Sequence, residues 1–198
     1  MKNAITKLLL TALIAVFGVN ANAQTQKGYA MVGTNLSSFD IGLKSGSNIK
    51  FDLTPKAGIF IRDGLLVGIN ALLGIEHVGG DDNGNIVDYE IGLFGRYYIA
   101  NKNIEVVKHG KFFFEIDAGF HGRNQTKGGN KTNGLGIGFG PGFAYFLNSN
   151  VAIETSAKYQ AIAGFGDTAY QHDLVWSLGL QVYLPYKSTK NTIVSDFK

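Results

Sequence analysis

The chain has 198 residues, no cysteine and a formal net charge of +3, and 45% of its residues are hydrophobic. The near balance of 18 basic and 15 acidic residues gives no argument for nucleic-acid binding. The lack of cysteine excludes a disulfide framework and lipid attachment through an N-terminal cysteine.

Residues 1–23 predict a cleaved export signal. Lys2 and Lys7 form a positive start, residues 8–19 form an apolar run, and residues 21–23, Ala-Asn-Ala, fit a cleavage site. The apolar run is short for a bilayer-spanning helix, although an uncleaved anchor is the alternative. Cleavage would remove two lysines and no acid, so the net charge falls to +1 over about 175 residues, which fit one domain.

Eight later segments have the two-residue periodicity of β-strands, because large apolar side chains alternate with polar or small ones. The segments are about residues 28–37, 49–61, 65–77, 87–99, 112–122, 134–147, 151–160 and 174–184. The clearest runs from Gly134 to Leu147, with large apolar residues on one face and mostly glycine on the other. These glycines do not have the spacing of a phosphate-binding loop. We interpret them as room for a strongly bent strand and for large neighbouring side chains.

The connections between the segments alternate in length. Arg62 to Gly64 and Asn148 to Asn150 predict short turns at one end of an antiparallel sheet. The longer polar connections at the other end are residues 38–48, 79–85, 123–133 and 161–173. This asymmetry is typical of barrels that cross a membrane. Residues 100–111 are an exception, because they form a long connection at the short-turn end.

The alternation alone leaves open which face lies outside, since a soluble ligand-carrying barrel places its apolar face inward. Three features favour an apolar exterior: a glycine-rich opposite face with sparse charges, segments long enough to cross a bilayer obliquely, and aromatic residues near both ends of the apolar face. The predicted girdle residues are Tyr89, Phe120, Tyr159 and Trp176 toward one rim, and Tyr97, Phe112, Tyr145 and Tyr186 toward the other. From Tyr89 to Tyr97 a tilted strand covers roughly 20–25 Å, which matches the apolar band of a membrane barrel.

With this pattern the chain resembles the small eight-stranded outer-membrane barrels of the OmpA/OmpX type found in Gram-negative bacteria. The residues from Ser177 to Leu184 resemble the C-terminal signal read by the barrel-insertion machinery, although Pro185 and a polar tail, residues 186–198, follow it. The resemblance implies an eight-stranded antiparallel up-and-down transmembrane β-barrel over residues 24–185, in contact with lipid and lipopolysaccharide of the outer membrane. The tail is too short for a peptidoglycan-binding domain, so a wall-anchoring role is not implied.

Charged residues also fall on the inward face of the predicted barrel. They are Lys50, Asp52, Lys56, Glu76, Asp88, Glu90, Arg96, Glu115, Asp117, Glu154 and Lys158. An eight-stranded barrel is just wide enough for side chains to fill it, and buried charges must be paired or hydrated. We therefore expect ion pairs to close the lumen. The alternative is a narrow path that favours cations, because the acids outnumber the bases.

Three histidines, His77, His121 and His172, fall near the rim with the long connections. Some barrels of this size modify lipid A with a histidine, a serine and a carboxylate, but Ser156 faces inward at a different level. The sequence therefore predicts no enzyme, no cofactor, no metal site and no nucleic-acid partner. It predicts a structural or surface-interaction role, with the long loops carrying any contact to a host or surface ligand. A lipid A-modifying enzyme, a narrow channel and a soluble carrier are the alternatives.

Overall fold

A closed antiparallel barrel forms the folded part of the chain. The computed structural model describes residues 25–41, 49–78, 84–99, 109–126, 131–166 and 170–186. Its strands are β1 Tyr29–Ile41, β2 Ile49–Arg62, β3 Leu65–Val78, β4 Gly84–Tyr98, β5 Gly110–Gln125, β6 Lys131–Phe146, β7 Val151–Gly166 and β8 Tyr170–Pro185. Each strand pairs with the next, and β8 pairs with β1, which confirms the predicted eight-stranded up-and-down topology. None of the described residues form a helix with the length and hydropathy that a bilayer crossing requires.

The strands extend further toward the long-connection end than the sequence predicted. The predicted loops at residues 123–133 and 161–173 are for the most part paired strand. Asn124 and Asn133 show the reason, because their side-chain amides exchange two hydrogen bonds of 3.0 Å between β5 and β6. Polar residues typical of loops therefore continue the ladder here, and the predicted loop boundaries were wrong.

The short turns are held by local hydrogen bonds. Gly64 has a φ of 74°, a backbone conformation that glycine adopts without strain, and it closes the turn between β2 and β3. In the turn between β6 and β7, the Asn148 Oδ1 accepts hydrogen bonds from the backbone N–H groups of Asn150 at 2.8 Å and Val151 at 2.9 Å. Both turns occur where they were predicted, at the end that also carries the two ends of the barrel segment.

The outer surface of the barrel is apolar. On β6 buried residues alternate with exposed or partly exposed ones from Leu135 onward, as the two-residue period requires. The most exposed large apolar side chains are Ile69, Leu73, Ile75, Ile91, Leu93, Leu135, Leu174, Trp176 and Leu178. Such a ring would promote aggregation in water, whereas a barrel that crosses a membrane presents it to lipid. The alternative of a soluble carrier is therefore wrong, because its apolar face would have to point inward.

Glycines on the inner face leave space for larger neighbours. A side chain at Gly142 would overlap the ring of Phe113, and one at Gly138 would overlap the carboxylate of Asp117. These two contacts explain why glycine alternates with large apolar residues on β6. They also bring a ring and a carboxylate from β5 into the barrel interior.

Candidate functional site

Arg96 on β4 is the centre of a set of ion pairs that crosses the barrel interior. Its side chain is buried, with the residue only 1% exposed. Its Nη1 donates to both carboxylate oxygens of Glu154 at 2.8 Å and to the hydroxyl of Tyr98 at 2.9 Å. Its Nε and Nη2 donate to Oε2 of Glu115 at 2.9 Å and 2.7 Å. Because Glu154 lies on β7, three strands from β4, this pairing spans the lumen.

Two lysines complete what we call the charged network. Lys56 on β2 pairs with Oε1 of Glu115. Lys158 on β7 contacts the same Glu115 oxygen at 3.2 Å and Oδ2 of Asp117 at 2.5 Å. The charged network therefore contains Lys56, Arg96, Lys158, Glu115, Asp117 and Glu154, in which positive and negative groups balance. Each member has an oppositely charged partner, so no charge of the network is left buried and unpaired, which would be strongly destabilising.

An aromatic plug lies beneath the charged network, toward the short-turn end. It consists of Met31, Phe60, Leu66, Phe94, Tyr98, Phe113, Ala144, Phe146, Ala152 and Tyr183. Tyr98 and Tyr183 come from opposite walls of the barrel, and their hydroxyl oxygens are 2.7 Å apart. The Tyr183 hydroxyl also donates to Glu154 at 2.7 Å, and the Arg96 guanidinium lies 4.0 Å from the ring centroid of Phe113. The charged network and the aromatic plug are therefore two layers in direct contact.

The chain before β1 adds a third closure, at the short-turn mouth. The backbone carbonyl of Thr25 accepts a hydrogen bond from the N–H of Gly64 at 2.7 Å, which ties it to the turn between β2 and β3. The Thr25 hydroxyl accepts from Nζ of Lys111 at 2.8 Å, and Lys111 is on β5, opposite β1. Sequence reasoning missed both residues, because periodicity carries no signal for a contact across the barrel mouth.

Among the described residues, the interior between the charged network and the long-connection end forms a cavity of about 350 Å³ that we call the upper chamber. Lys56 and Lys158 of the charged network lie at its floor. The polar residues that line its walls are Asn35, Ser37, Asp52, Thr54, Asn70, Glu76, Asp88, Glu90, His121, Arg123, Gln160, Asp173 and Ser177. The upper chamber is therefore a mostly polar vestibule above the charged network.

Specific contacts order the chamber wall. Nδ2 of Asn70 donates to Oε1 of Glu90 at 3.0 Å, and Nδ1 of His121 lies 3.3 Å from Oε2 of the same carboxylate. Arg123 contacts Glu76 at 2.9 Å and Asp88 at 3.6 Å. Sequence reasoning missed Arg123, which it assigned to a loop, and placed His121 at the rim. The predicted strand already gave His121 the inward parity of Glu115 and Asp117, and the extension of β5 gives the same parity to Arg123.

The structure places the predicted lumen charges at two levels. The six residues of the charged network meet in the middle of the barrel, whereas Asp52, Glu76, Asp88 and Glu90 line the upper chamber. The side chain of Lys50 lies outside the described residues. The predicted group is therefore divided into a balanced lower set and an acidic upper set.

The predicted girdle residues lie on the outward face. Tyr97, Phe112 and Tyr145 are within two residues of strand ends on the short-turn side, whereas Tyr159 and Trp176 lie near the middle of β7 and β8. Those whose side chains are exposed are Tyr97, Phe112, Phe120, Tyr145, Trp176 and Tyr186. Tyr89 and Tyr159 are partly covered by neighbours. The Tyr89 hydroxyl donates to Oδ1 of Asn133 at 2.7 Å, and the Tyr159 ring stacks on His172 at a centroid distance of 6.0 Å.

The groups considered for catalysis have other partners. The hydroxyl oxygens of Ser156 and Ser177 are 2.7 Å from each other, and His121 has Glu90 as its partner. The side chain of His77 lies outside the described residues. Within the described part of the chain, no three His, Cys, Asp or Glu side chains come together in a group that could hold a metal ion.

The comparisons with known proteins identify the fold. No family model matches the sequence, and no curated protein matches it. Among solved structures, the barrel is similar to Neisserial surface protein A, with 16% identity, a TM-score of 0.55 and coverage of 79% of this chain and 96% of that chain. It is also similar to the outer membrane protein OprG from Pseudomonas aeruginosa, with 14% identity, a TM-score of 0.50 and coverage of 81% and 98%. The likeness confirms that the chain has the fold of the small outer-membrane barrels.

Proposed function

We propose that the protein resides in the outer membrane as a barrel with a closed lumen, and that it acts through structure and surface contacts. The observation that carries this proposal is the charged network on top of the aromatic plug. Arg96 joins β4 to β7, and Tyr98 meets Tyr183 from the opposite wall, so side chains occupy the cross-section of the lumen. In this proposal, solutes do not pass freely through the lumen and the protein catalyses no reaction.

The outer-membrane location is supported by the exterior of the barrel and by its solved neighbours. Ile91 and Leu93 are about 70% exposed in the middle of an apolar surface that requires lipid. The export signal predicted at residues 1–23 provides a route out of the cytoplasm. The two similar structures are described as a surface protein and an outer membrane protein. Lipid and lipopolysaccharide are the partners that this location implies.

The energetics of the charged network favour a closed state. A solute that passed through would have to separate Arg96 from Glu115 and Glu154, which together accept charge-assisted hydrogen bonds from three of its nitrogen atoms. Each such bond contributes about 1.5–3 kcal/mol, several times the thermal energy. The network also rests on rigid aromatic packing, so local opening would disturb both layers. We therefore expect no measurable conductance.

The long-connection end is the part of the molecule that we propose for contacts outside the cell. The paired strands reach it with polar residues: the N–H of Asn85 donates to the Thr126 hydroxyl at 3.1 Å, and the N–H of Thr126 donates to the Asn85 carbonyl at 2.8 Å. Short periplasmic turns leave this end facing outward in an outer-membrane barrel. A rigid polar rim of this kind suits a surface-interaction role.

Planar-bilayer recording of the purified protein tests the closed lumen. We expect silent membranes with the natural chain. We expect conductance when both layers are trimmed, as in Arg96→Ala/Glu154→Ala/Tyr183→Ala, which is the positive control for insertion. Regular cation-selective openings of the natural chain would overturn the proposal in favour of the narrow channel.

Lipid A from cells with and without the protein tests the enzyme alternative. We expect the same acylation pattern in both, because the Ser156 and Ser177 hydroxyls pair with each other and His121 pairs with Glu90. A change in acyl chains that depends on His121 would reject a purely structural role.

A further inference from the structure

The upper chamber has the size of a ligand site and a closed floor. Its volume of about 350 Å³ lies within the range of small-molecule pockets, roughly 300–1,000 Å³. Lys56 and Lys158 close it below, and both already have carboxylate partners in Glu115 and Asp117. Apolar side chains, among them Leu72, also contribute to its wall. A molecule that enters from the long-connection end would therefore stop above the charged network.

The charge of the chamber wall is negative. The carboxylates that line it in the described structure are those of Asp52, Glu76, Asp88, Glu90 and Asp173. Arg123 is the arginine among the lining residues, and it is shared between Glu76 and Asp88. Even with the charge of Lys50 added, whose backbone pairs with that of Glu76, the acids remain in excess. A concave site of one sign raises the local concentration of oppositely charged solutes.

Asn70 provides a second observation that indicates a ligand, and it is independent of the charge of the chamber wall. It lines the chamber and is only 5% exposed. Its Nδ2 donates to Glu90, but its Oδ1 accepts no hydrogen bond from the described residues. A buried amide oxygen without a donor is costly, and an N–H group seated against Glu90 would supply that donor. The amide oxygen and the carboxylate are both hydrogen-bond acceptors, so a ligand that donates hydrogen bonds would complement them.

We propose that the upper chamber binds a small organic cation with N–H donors, that is, an aliphatic ammonium or guanidinium compound. Carboxylates accept hydrogen bonds only, whereas an ammonium group offers three donors and a guanidinium group five. The apolar part of the wall accommodates a short aliphatic chain. A metal ion fits less well, because the described residues bring no three ligating side chains together. This proposal depends on the closed lumen of the proposed function in one respect only, namely that the charged network forms the floor of the chamber.

Calorimetric titration of the full chain, folded in detergent micelles, tests this proposal with putrescine as the probe. Butanediol, a neutral compound of similar shape, is the matched probe. We expect saturable binding of putrescine and none of butanediol. Glu90→Gln keeps the shape of the side chain and an acceptor for Asn70 but removes the charge, so we expect affinity to fall about tenfold or more. Asn70→Ala removes the unpartnered acceptor, and we expect it to weaken binding as well.

Asp63→Asn is the matched control variant, because Asp63 is an exposed carboxylate on the short turn, at the far end of the barrel. We expect this variant to bind putrescine like the natural chain. If Glu90→Gln does not fold, as judged by heat-modifiable gel migration, Asp88→Asn replaces it. Equal heats for putrescine and butanediol, or an equal loss in Asp63→Asn, would overturn the proposal. Tight binding of Mg²⁺ that displaces putrescine would replace it with a metal site.

Conductance measured on the same preparations separates this proposal from the proposed function. Putrescine binding together with channel openings would reject the closed lumen and retain the chamber site. Silent membranes without putrescine binding would reject the chamber site alone.

Discussion

The pairing of Arg96 with Glu154 gives the sharpest test of how the lumen is held shut. Replacement of Arg96 by methionine leaves a side chain of similar length but removes the charge. The remaining network would then hold three carboxylates against Lys56 and Lys158. Replacement of Glu154 by glutamine has the opposite effect, because it leaves three positive groups against two negative groups. The double variant restores the balance, with two lysines facing Glu115 and Asp117.

The expected losses in the free energy of unfolding follow from the burial of these two side chains. Removing one partner of a buried ion pair costs about 3–5 kcal/mol, so we expect the free energy of unfolding to fall by that amount in Arg96→Met. In Glu154→Gln, Arg96 keeps Glu115 and loses charge-assisted bonds to Glu154, so we expect a loss of about 1.5–3 kcal/mol. Since the two residues are in direct contact, we expect the double variant to lose less than the sum of the single losses, by about 1–3 kcal/mol.

Urea titrations in lipid vesicles measure these losses, with folded and unfolded forms separated by heat-modifiable gel migration. The slope of unfolding free energy against urea has to stay constant across the four proteins for the cycle to be valid. Single losses that add within about 0.5 kcal/mol would refute a coupled network. An Arg96→Met variant as stable as the natural chain would refute the burial argument itself.

Two further pairs of substitutions test the outer face and the inner face by the same assay. Ile91→Arg, in the middle of the apolar surface, is expected to lower the free energy of unfolding by about 2–4 kcal/mol. Ile61→Arg, beside the short turn, is expected to lower it by about 0–1 kcal/mol. Equal losses would contradict a bilayer at the level of Ile91. Gly142→Ala is expected to cost about 1–3 kcal/mol because the methyl group meets the ring of Phe113. Gly95→Ala, at an outward position of β4, has free space around its new methyl group, with Ile116 at 3.8 Å, so it is the control for strand propensity. An equal cost at both glycines would show that strand propensity alone is measured.

The fold could be predicted from the sequence because a two-residue period identifies the strands and shows which residues share a face. Leu135 and Gly136, for example, already differ in the way that an outer and an inner position require. The strand ends could not be predicted, because Asn124 and Asn133 are residue types typical of loops, and nothing local indicates that they continue the ladder and exchange side-chain hydrogen bonds.

The sequence predicted which residues face the interior of the barrel, but not which of them contact each other. The parity of Arg96, Glu115 and Glu154 placed them inside, yet nothing local indicates that they meet. Tyr98 and Tyr183 illustrate the limit, since they are 85 residues apart and touch only because the barrel closes. Which inward residues share a level depends on the registers of several strand pairs, and a single sequence does not supply those registers.

The central claim is that the apolar face of the barrel meets lipid, and the single tryptophan of the chain tests it most directly. Trp176 is 66% exposed on the outer face of β8, six residues from the long-connection end of that strand. Its fluorescence can be measured in vesicles of brominated lipid and, separately, with iodide in the water. We predict strong quenching by the bromine of the lipid chains and little quenching by iodide. Strong quenching by iodide with no effect of brominated lipid would contradict the account.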